Sequence, residues 1–223
     1  MKSGVVVLGL SGLVSLASVA VAQEGPPART GFQMDVRTGY SIPMGKTGLK
    51  IGADSVPLVM SDFTSAQVPF IVDLGAKVIP QLFLGGYFGL AFGGEGGAMK
   101  SLCQANGGAC VSVGVQLGLE AQYHFLPGGP TNPWLGYGFG FESLGVSLGQ
   151  SGSDNTLTLG GVQFARLMGG VDFRLNRAFG VGPFVDFSLG RYSSVKAGSA
   201  SADISPSRTH EWLTLGARFV FFP

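Results

Sequence analysis

From Val111 to Phe125 apolar and polar residues alternate without a break. Val111, Val113, Val115, Leu117, Leu119, Ala121, Tyr123 and Phe125 hold one phase; Ser112, Gly114, Gln116, Gly118, Glu120, Gln122 and His124 hold the other. A period of two marks a β-strand with one apolar and one polar face. Strands of soluble domains run about 5–6 residues, whereas a tilted strand crossing a bilayer needs about 9–11. This segment is long enough to span.

Seven other segments repeat the pattern. Gly31–Ser41 sets Phe32, Met34, Val36 and Tyr40 against Gln33, Asp35 and Arg37. Gln67–Ile79 sets Val68, Phe70, Val72 and Leu74 against Asp73 and Lys77. In Leu82–Phe92, Leu84, Phe88 and Leu90 oppose Phe83, Gly85, Tyr87 and Gly89. Trp134–Val146 opposes Leu135, Tyr137, Phe139 and Phe141 to Gly136, Gly138, Gly140 and Glu142. Thr156–Leu175 places Leu157, Leu159, Ala165, Leu167, Val171 and Phe173 opposite Arg166, Asp172 and Arg174. Beyond it Val181, Val185, Phe187 and Leu189 oppose Gly182, Phe184, Asp186 and Ser188. Thr209–Phe222 opposes Leu213, Leu215, Ala217, Phe219 and Phe221 to Trp212, Gly216 and Arg218.

The connections alternate in length. Ile42–Ala66, Gly93–Cys110, Ser147–Asn155 and Ser193–Arg208 are long and have no sustained period. Pro80-Gln81, Leu126–Pro133 and Asn176–Phe179 are short. Eight strands with long connections at one end and short turns at the other predict an all-β, membrane-spanning, antiparallel up-and-down barrel. In such barrels the long loops face outward and both chain ends face the periplasm.

The charges agree. Asp35, Arg37, Asp73, Lys77, Glu120, Glu142, Arg166, Asp172, Arg174, Asp186 and Arg218 all fall on the less apolar phase. The apolar phase carries charge only at Arg191 and Glu211, near the predicted upper rim. A Lys or Arg facing lipid at the midplane costs about 2–4 kcal/mol and almost nothing near the interface. A soluble sandwich or lipocalin-like barrel would have to solvate itself through this glycine-rich face, which has too few charges for the task.

Composition adds the compartment. The chain has 223 residues, 12% charged, with 38 glycines, and its mean hydropathy is +0.36. A net charge of +1 offers no electrostatic case for a nucleic-acid partner. Lys2, the apolar stretch Gly4–Val19 and Ala20-Val21-Ala22 form a signal peptide over residues 1–22, with cleavage after Ala22. The mature barrel is then residues 23–223.

The leader, the eight alternating strands and the loop asymmetry resemble the OmpA-type small outer-membrane β-barrels of Gram-negative bacteria. The resemblance covers the mature chain and implies a cell outer membrane location and a barrel-only architecture without a periplasmic domain. Outer-membrane lipid and lipopolysaccharide are then the surroundings, the barrel-insertion machinery the partner during biogenesis, and a monomer the working form. Such barrels often end in an aromatic residue; here Phe219 and Phe221 keep the alternation, but the last residue is Pro223.

Candidate chemistry is sparse. Cys103 and Cys110, close together in an exported chain, predict a disulfide. The inward charges predict an ionic network that plugs the lumen, with Asp186 and Arg218 on adjacent strands at similar heights and Asp35 or Arg37 beside them. A narrow water-filled pore is the alternative, because inward glycines (Gly85, Gly89, Gly114, Gly118, Gly136, Gly138, Gly140) leave space. Trp134, Tyr123, Phe125, Phe221 and Phe222 below, and Tyr40, Phe92 and Trp212 above, read as interfacial girdles and end plugs.

A lipid A-modifying enzyme is a distant alternative, since only His210, with Glu211, Asp203, Ser205 and Ser207, lies at the outer rim. It reads as a solvated loop histidine, and His124 points inward at the other end. No catalytic, metal or cofactor residue is assigned, and no cofactor is expected. The expected role is structural support of the envelope, with surface interaction through the long loops.

Overall fold

The computed structural model describes residues 30–51, 56–105, 110–147 and 156–221. The predicted leader, Phe222 and Pro223 lie outside the described residues. Eight long antiparallel strands form the wall: β1 (Gly31–Ile51), β3 (Thr64–Ile79), β4 (Leu82–Glu95), β5 (Val111–His124), β6 (Thr131–Ser147), β7 (Thr156–Arg174), β8 (Phe179–Ala197) and β10 (Thr209–Phe221). Each pairs with the next, and β10 pairs with both β8 and β1. The closing seam runs from Met34 opposite Phe221 to Gly45 opposite His210. Closure leaves no open wall edge, which a bilayer requires because its core offers no water to unpaired backbone groups.

The membrane fold turns a soluble core inside out. Phe70, Leu119, Phe139 and Phe141 stand on the outer face, with Phe141 69% exposed. Asp35, Arg37, Asp73 and Arg218 stand inside, each 0% exposed. Lipid accepts the first set without cost, and the second set finds hydrogen-bond partners only in the lumen.

Toward the end with the long connections, here called upper, the polarity inverts again. On β6 the inward phase changes from Gly138, Gly140 and Glu142 to Leu144 and Val146, both fully buried. On β8 the outward row Val185, Phe187, Leu189 ends at the exposed Arg191, and Tyr192 turns inward, buried. Above that level water lies outside the wall, so apolar side chains gain by facing in.

Where they are described, the long connections are built of strands and helical turns. β1 continues past Ser41 to Ile51 and pairs with β2 (Val56–Val59), Ile51 opposite Val56. A single helical turn, α1 (Met60–Phe63), follows, and the Asp62 carboxylate accepts the Val59 N–H at 3.2 Å. The next long connection carries α2 (Met99–Ala105). The two connections are tied by N–H groups of Gly96, Gly97 and Ala98 donating to carbonyls of Phe63, Ser61 and Asp62. The upper end of β8 pairs with β9 (Ala200–Asp203), Ala197 opposite Ala200. Met60, Phe63, Met99, Cys103 and Cys110 pack on Leu144, Val146, Leu159, Tyr192 and Ile204 in one hydrophobic cluster. This cap covers the upper mouth of the barrel.

A bulge in β7 corrects the expected phase of its upper half. Gly138 pairs with Arg166 and Gly140 with Gln163, so Phe164 and Ala165 together face Phe139. One extra residue exchanges the two faces. Leu159, expected on the lipid side, is therefore fully buried in the cap cluster.

Candidate functional site: a lumen filled by paired charges

Alternation brings inward side chains from six of the wall strands into one continuous hydrogen-bonded network. At its centre Arg37 (β1) grips Asp73 (β3) in a two-pronged contact, Nε to Oδ2 at 2.7 Å and Nη2 to Oδ1 at 2.6 Å. The same guanidinium donates to Glu120 Oε2 (β5) at 3.0 Å and to Asp186 Oδ2 (β8) at 3.4 Å. Its Nη1 also lies 2.7 Å from Met168 Sδ.

Below, Arg218 (β10) donates to Asp35 Oδ2 and Gln122 Oε1, both at 2.5 Å, and to Asp172 Oδ2 at 3.3 Å. Its guanidinium lies 4.1 Å from the Trp134 ring centre. Gln122 in turn donates to Glu120 Oε1 at 2.6 Å, joining this group to Arg37. Above, Arg166 (β7) donates through Nε to Asp186 Oδ2 at 2.6 Å, makes a second contact to it through Nη2, and donates to Gln116 Oε1 at 2.9 Å.

Aromatic rings fill what the charges leave. The Tyr87 ring lies beneath Arg166, 4.6 Å from its guanidinium, and its hydroxyl donates to Gln163 Oε1 at 2.7 Å. A Cβ on Gly118 would stand 2.6 Å from Tyr87 Cζ, and one on Gly140 2.8 Å from the Tyr87 hydroxyl. Phe83 lies in the same way against Gly75 and Gly85. These inward glycines are thus seats for aromatic rings, and the space they leave is occupied.

Several expectations need correction. Asp186 and Arg218 are not at one height: Asp186 stands opposite Thr214, Arg218 opposite Gly182. Arg218 therefore takes Asp35 and Asp172, and Asp186 takes Arg166 and Arg37. Lys77 is buried at the lower end, and Arg174 is half-buried there, donating to the Pro127 carbonyl at 2.9 Å. Glu142 lies higher, away from the Arg37 centre, 2.6 Å from His210 Nε2.

His210 is not a solvated loop residue. It lies in β10, 0% exposed, turned into the barrel. Its inward phase was present in the sequence, because His210, Trp212, Thr214 and Arg218 share one face. Of the girdle and end-plug aromatics, Trp134 is an end plug, buried at the lumen floor with Met168 and Phe184, while Tyr123 and Phe125 are exposed and keep the girdle position. Trp212 packs against the cap cluster. His124, buried below, has Nδ1 2.8 Å from the Asn132 amide. Cys103 and Cys110 are joined in a disulfide with Cα atoms 5.6 Å apart, which binds the end of α2 to the start of β5 inside the cap.

A closed eight-stranded wall, apolar outside and filled by paired charges within, defines the class: this chain has the fold of the small OmpA-type outer-membrane β-barrels. Solved structures include similar folds. The solid-state NMR structure of outer membrane protein AlkL in lipid bilayers is similar at a TM-score of 0.51 and 16% identity, over 90% of this chain and 97% of that one. The crystal structure of Neisserial surface protein A matches at a TM-score of 0.49 and 13% identity, over 87% of this chain and 99% of that one. That of OprG from Pseudomonas aeruginosa matches at 0.47 and 12%, over 88% and 99%. No protein-family model matches the chain, and no curated protein matches its sequence. The chain thus has the fold of a small outer-membrane β-barrel.

Proposed function

We propose that this barrel is a non-conducting structural element of the outer membrane, monomeric, with both chain ends in the periplasm and a folded cap presented at the cell surface. The observation that carries this reading is the Arg37 centre: one guanidinium bonded across the lumen to Asp73, Glu120 and Asp186. An eight-stranded barrel is just wide enough for side chains to fill, and here the cap cluster lies over the same lumen. Orientation follows from the long connections, which in such barrels face outward. The apolar outer wall meets lipid and lipopolysaccharide, and insertion depends on the barrel-assembly machinery acting on the exported chain. Residues presented by the cap, such as Lys100, Ser101 and Gln104 on α2, are exposed and stand on a rigid base, as surface recognition requires.

The test is single-channel recording of residues 23–223 refolded into planar bilayers. Electrical silence in well-folded preparations is the expected result. Steady discrete openings would refute it and make transport through the lumen the function.

A further inference from the structure

Toward its lower end the outer wall is cut by an apolar groove of about 640 Å³, open to the lipid side. Its lining comes from three neighbouring strands. Leu135 (β6) lies opposite Gly169 (β7), and Gly169 opposite Val185 (β8). Lower down Pro133 lies opposite Val171, and the β7–β8 register brings Pro183 to the other side of Val171. With no side chain at Gly169, the floor drops between Leu135 and Val185, and the lumen-floor aromatics Trp134 and Phe184 form its base.

The groove is preformed. The β7–β8 ladder pairs Gly170 with Phe184 and then Phe173 with Val181; the stretch between holds Pro183, which has no N–H to give. Glycine and proline have no rotamers with which to fill a hollow. An occupant therefore meets a fixed surface and pays little for ordering it.

The turn joining β7 to β8 lies directly below. The N–H groups of Leu175 and Asn176 donate to the Phe179 carbonyl at 3.0 and 3.2 Å, and the Ala178 N–H donates to Asn176 Oδ1 at 2.8 Å. This turn presents Arg177, exposed. The neighbouring turn is tied to it, because the Arg174 N–H donates to the Pro130 carbonyl at 2.8 Å and Nη2 to that of Pro127 at 2.9 Å. The short connections 80–81, 126–133 and 176–179 contain no Asp or Glu, so the charge offered here is positive. Phe125, exposed in the girdle, also lines the groove. The groove thus opens at headgroup level, where such aromatics sit, and rises into the hydrocarbon.

This arrangement suits a molecule with an anionic group at the interface and an apolar chain above it. Gly169 lies six residues along β7 from Leu175, about 20 Å of strand and about 15 Å of height at the usual barrel tilt. That is half of a hydrocarbon core of about 30 Å, the reach of one acyl chain. A second copy of this chain, related by a two-fold axis along the bilayer normal, would bring its own Arg177 against this one, like charge against like. Resting on the membrane placement given above, with the short turns toward the periplasm, we propose that the groove binds one glycerophospholipid of the periplasmic leaflet. An acyl chain lies over Gly169 between Leu135 and Val185, and the phosphate takes the Arg177 guanidinium.

The test is native mass spectrometry of residues 23–223 refolded in octyl glucoside and titrated with dipalmitoyl phosphatidylethanolamine. The first lipid binds at least about tenfold more tightly than those after it. Gly169→Leu fills the groove and abolishes that first step; a Cβ there meets Leu135 Cδ2 at 2.9 Å, the end of a side chain that can turn into lipid. Arg177→Gln, in a turn outside the wall, weakens it about tenfold, the worth of one charge-assisted hydrogen bond, and decides the matter if Gly169→Leu does not fold. Leu117→Met, on the outer face of β5, leaves it unchanged. Heat-resistant gel migration of each chain reports the folded barrel, which depends on the membrane reading and not on the groove. Four results overturn the proposal: lipid uptake by the folded barrel without a distinct first step, a first step that either folded variant leaves unmoved, tighter binding of lipid A than of phosphatidylethanolamine, or a dimer that Gly169→Leu dissociates.

Discussion

Replacing Arg37 by alanine removes the donor on which the centre of the lumen depends. Asp73, fully buried, loses both of its bonds to the guanidinium. Glu120 keeps the Gln122 amide, and Asp186 keeps Arg166. The loss is therefore that of one buried ion pair broken from one side, about 3–5 kcal/mol, or two to three and a half powers of ten in the folding equilibrium at about 1.4 kcal/mol each. Urea unfolding of the refolded barrel measures it, because Trp134 and Trp212, the only two tryptophans, both sit within the barrel and change environment on unfolding. The double variant Arg37→Ala, Asp73→Ala is the internal control: with the orphaned carboxylate gone, it is more stable than Arg37→Ala alone, giving a positive coupling in the cycle. A single-variant loss below about 1 kcal/mol, the range of solvated surface pairs, refutes the argument, as does a double variant that is the sum of its parts.

Other outcomes follow from the same geometry. Tyr87→Ala removes the ring between Arg166 and the glycine seats of β5 and β6 and costs about 3–5 kcal/mol in the same unfolding assay, as large aromatic truncations in cores do. Phe63→Ala opens the cap cluster and leaves the network below untouched. Limited proteolysis then cuts the 42–64 connection faster, while the barrel keeps its heat-resistant migration on gels. Replacing both Cys103 and Cys110 by serine loosens the same cap by about 2–3 kcal/mol in the chain-entropy account of a short ring, again read as faster cleavage of the connections with the wall intact.

Strand count, closure and the assignment of charges to the inner face were legible because a membrane barrel imposes a period of two with a fixed sense, apolar outward, over each wall strand. The Leu117, Leu119, Tyr123 row of β5 is exposed and the Glu120, Gln122, His124 row buried, as the alternation requires. The cap was not legible. Above the bilayer the surroundings change from lipid to water, so Leu144, Val146 and Leu159 face inward, and a pattern read with one sense along the whole strand puts Leu159 on the lipid face. The change of inward phase from Gly138, Gly140 and Glu142 to Leu144 and Val146 was the available signal.

The chain's own pattern determined that this is a barrel, which faces meet lipid, and which charges enter the lumen, since each of these depends on neighbours along one strand. Tertiary structure alone decided which charge meets which. The pairing of Arg218 with Asp35 and Asp172, of Arg37 with three carboxylates, and of Glu142 with His210 depends on strand register and on the β7 bulge. Those set the heights of side chains that meet across the lumen from strands far apart in sequence. The same holds for the glycines: alternation showed that they face inward, but only the closed wall showed that Tyr87 and Phe83 lie upon them, turning apparent free space into a filled interior.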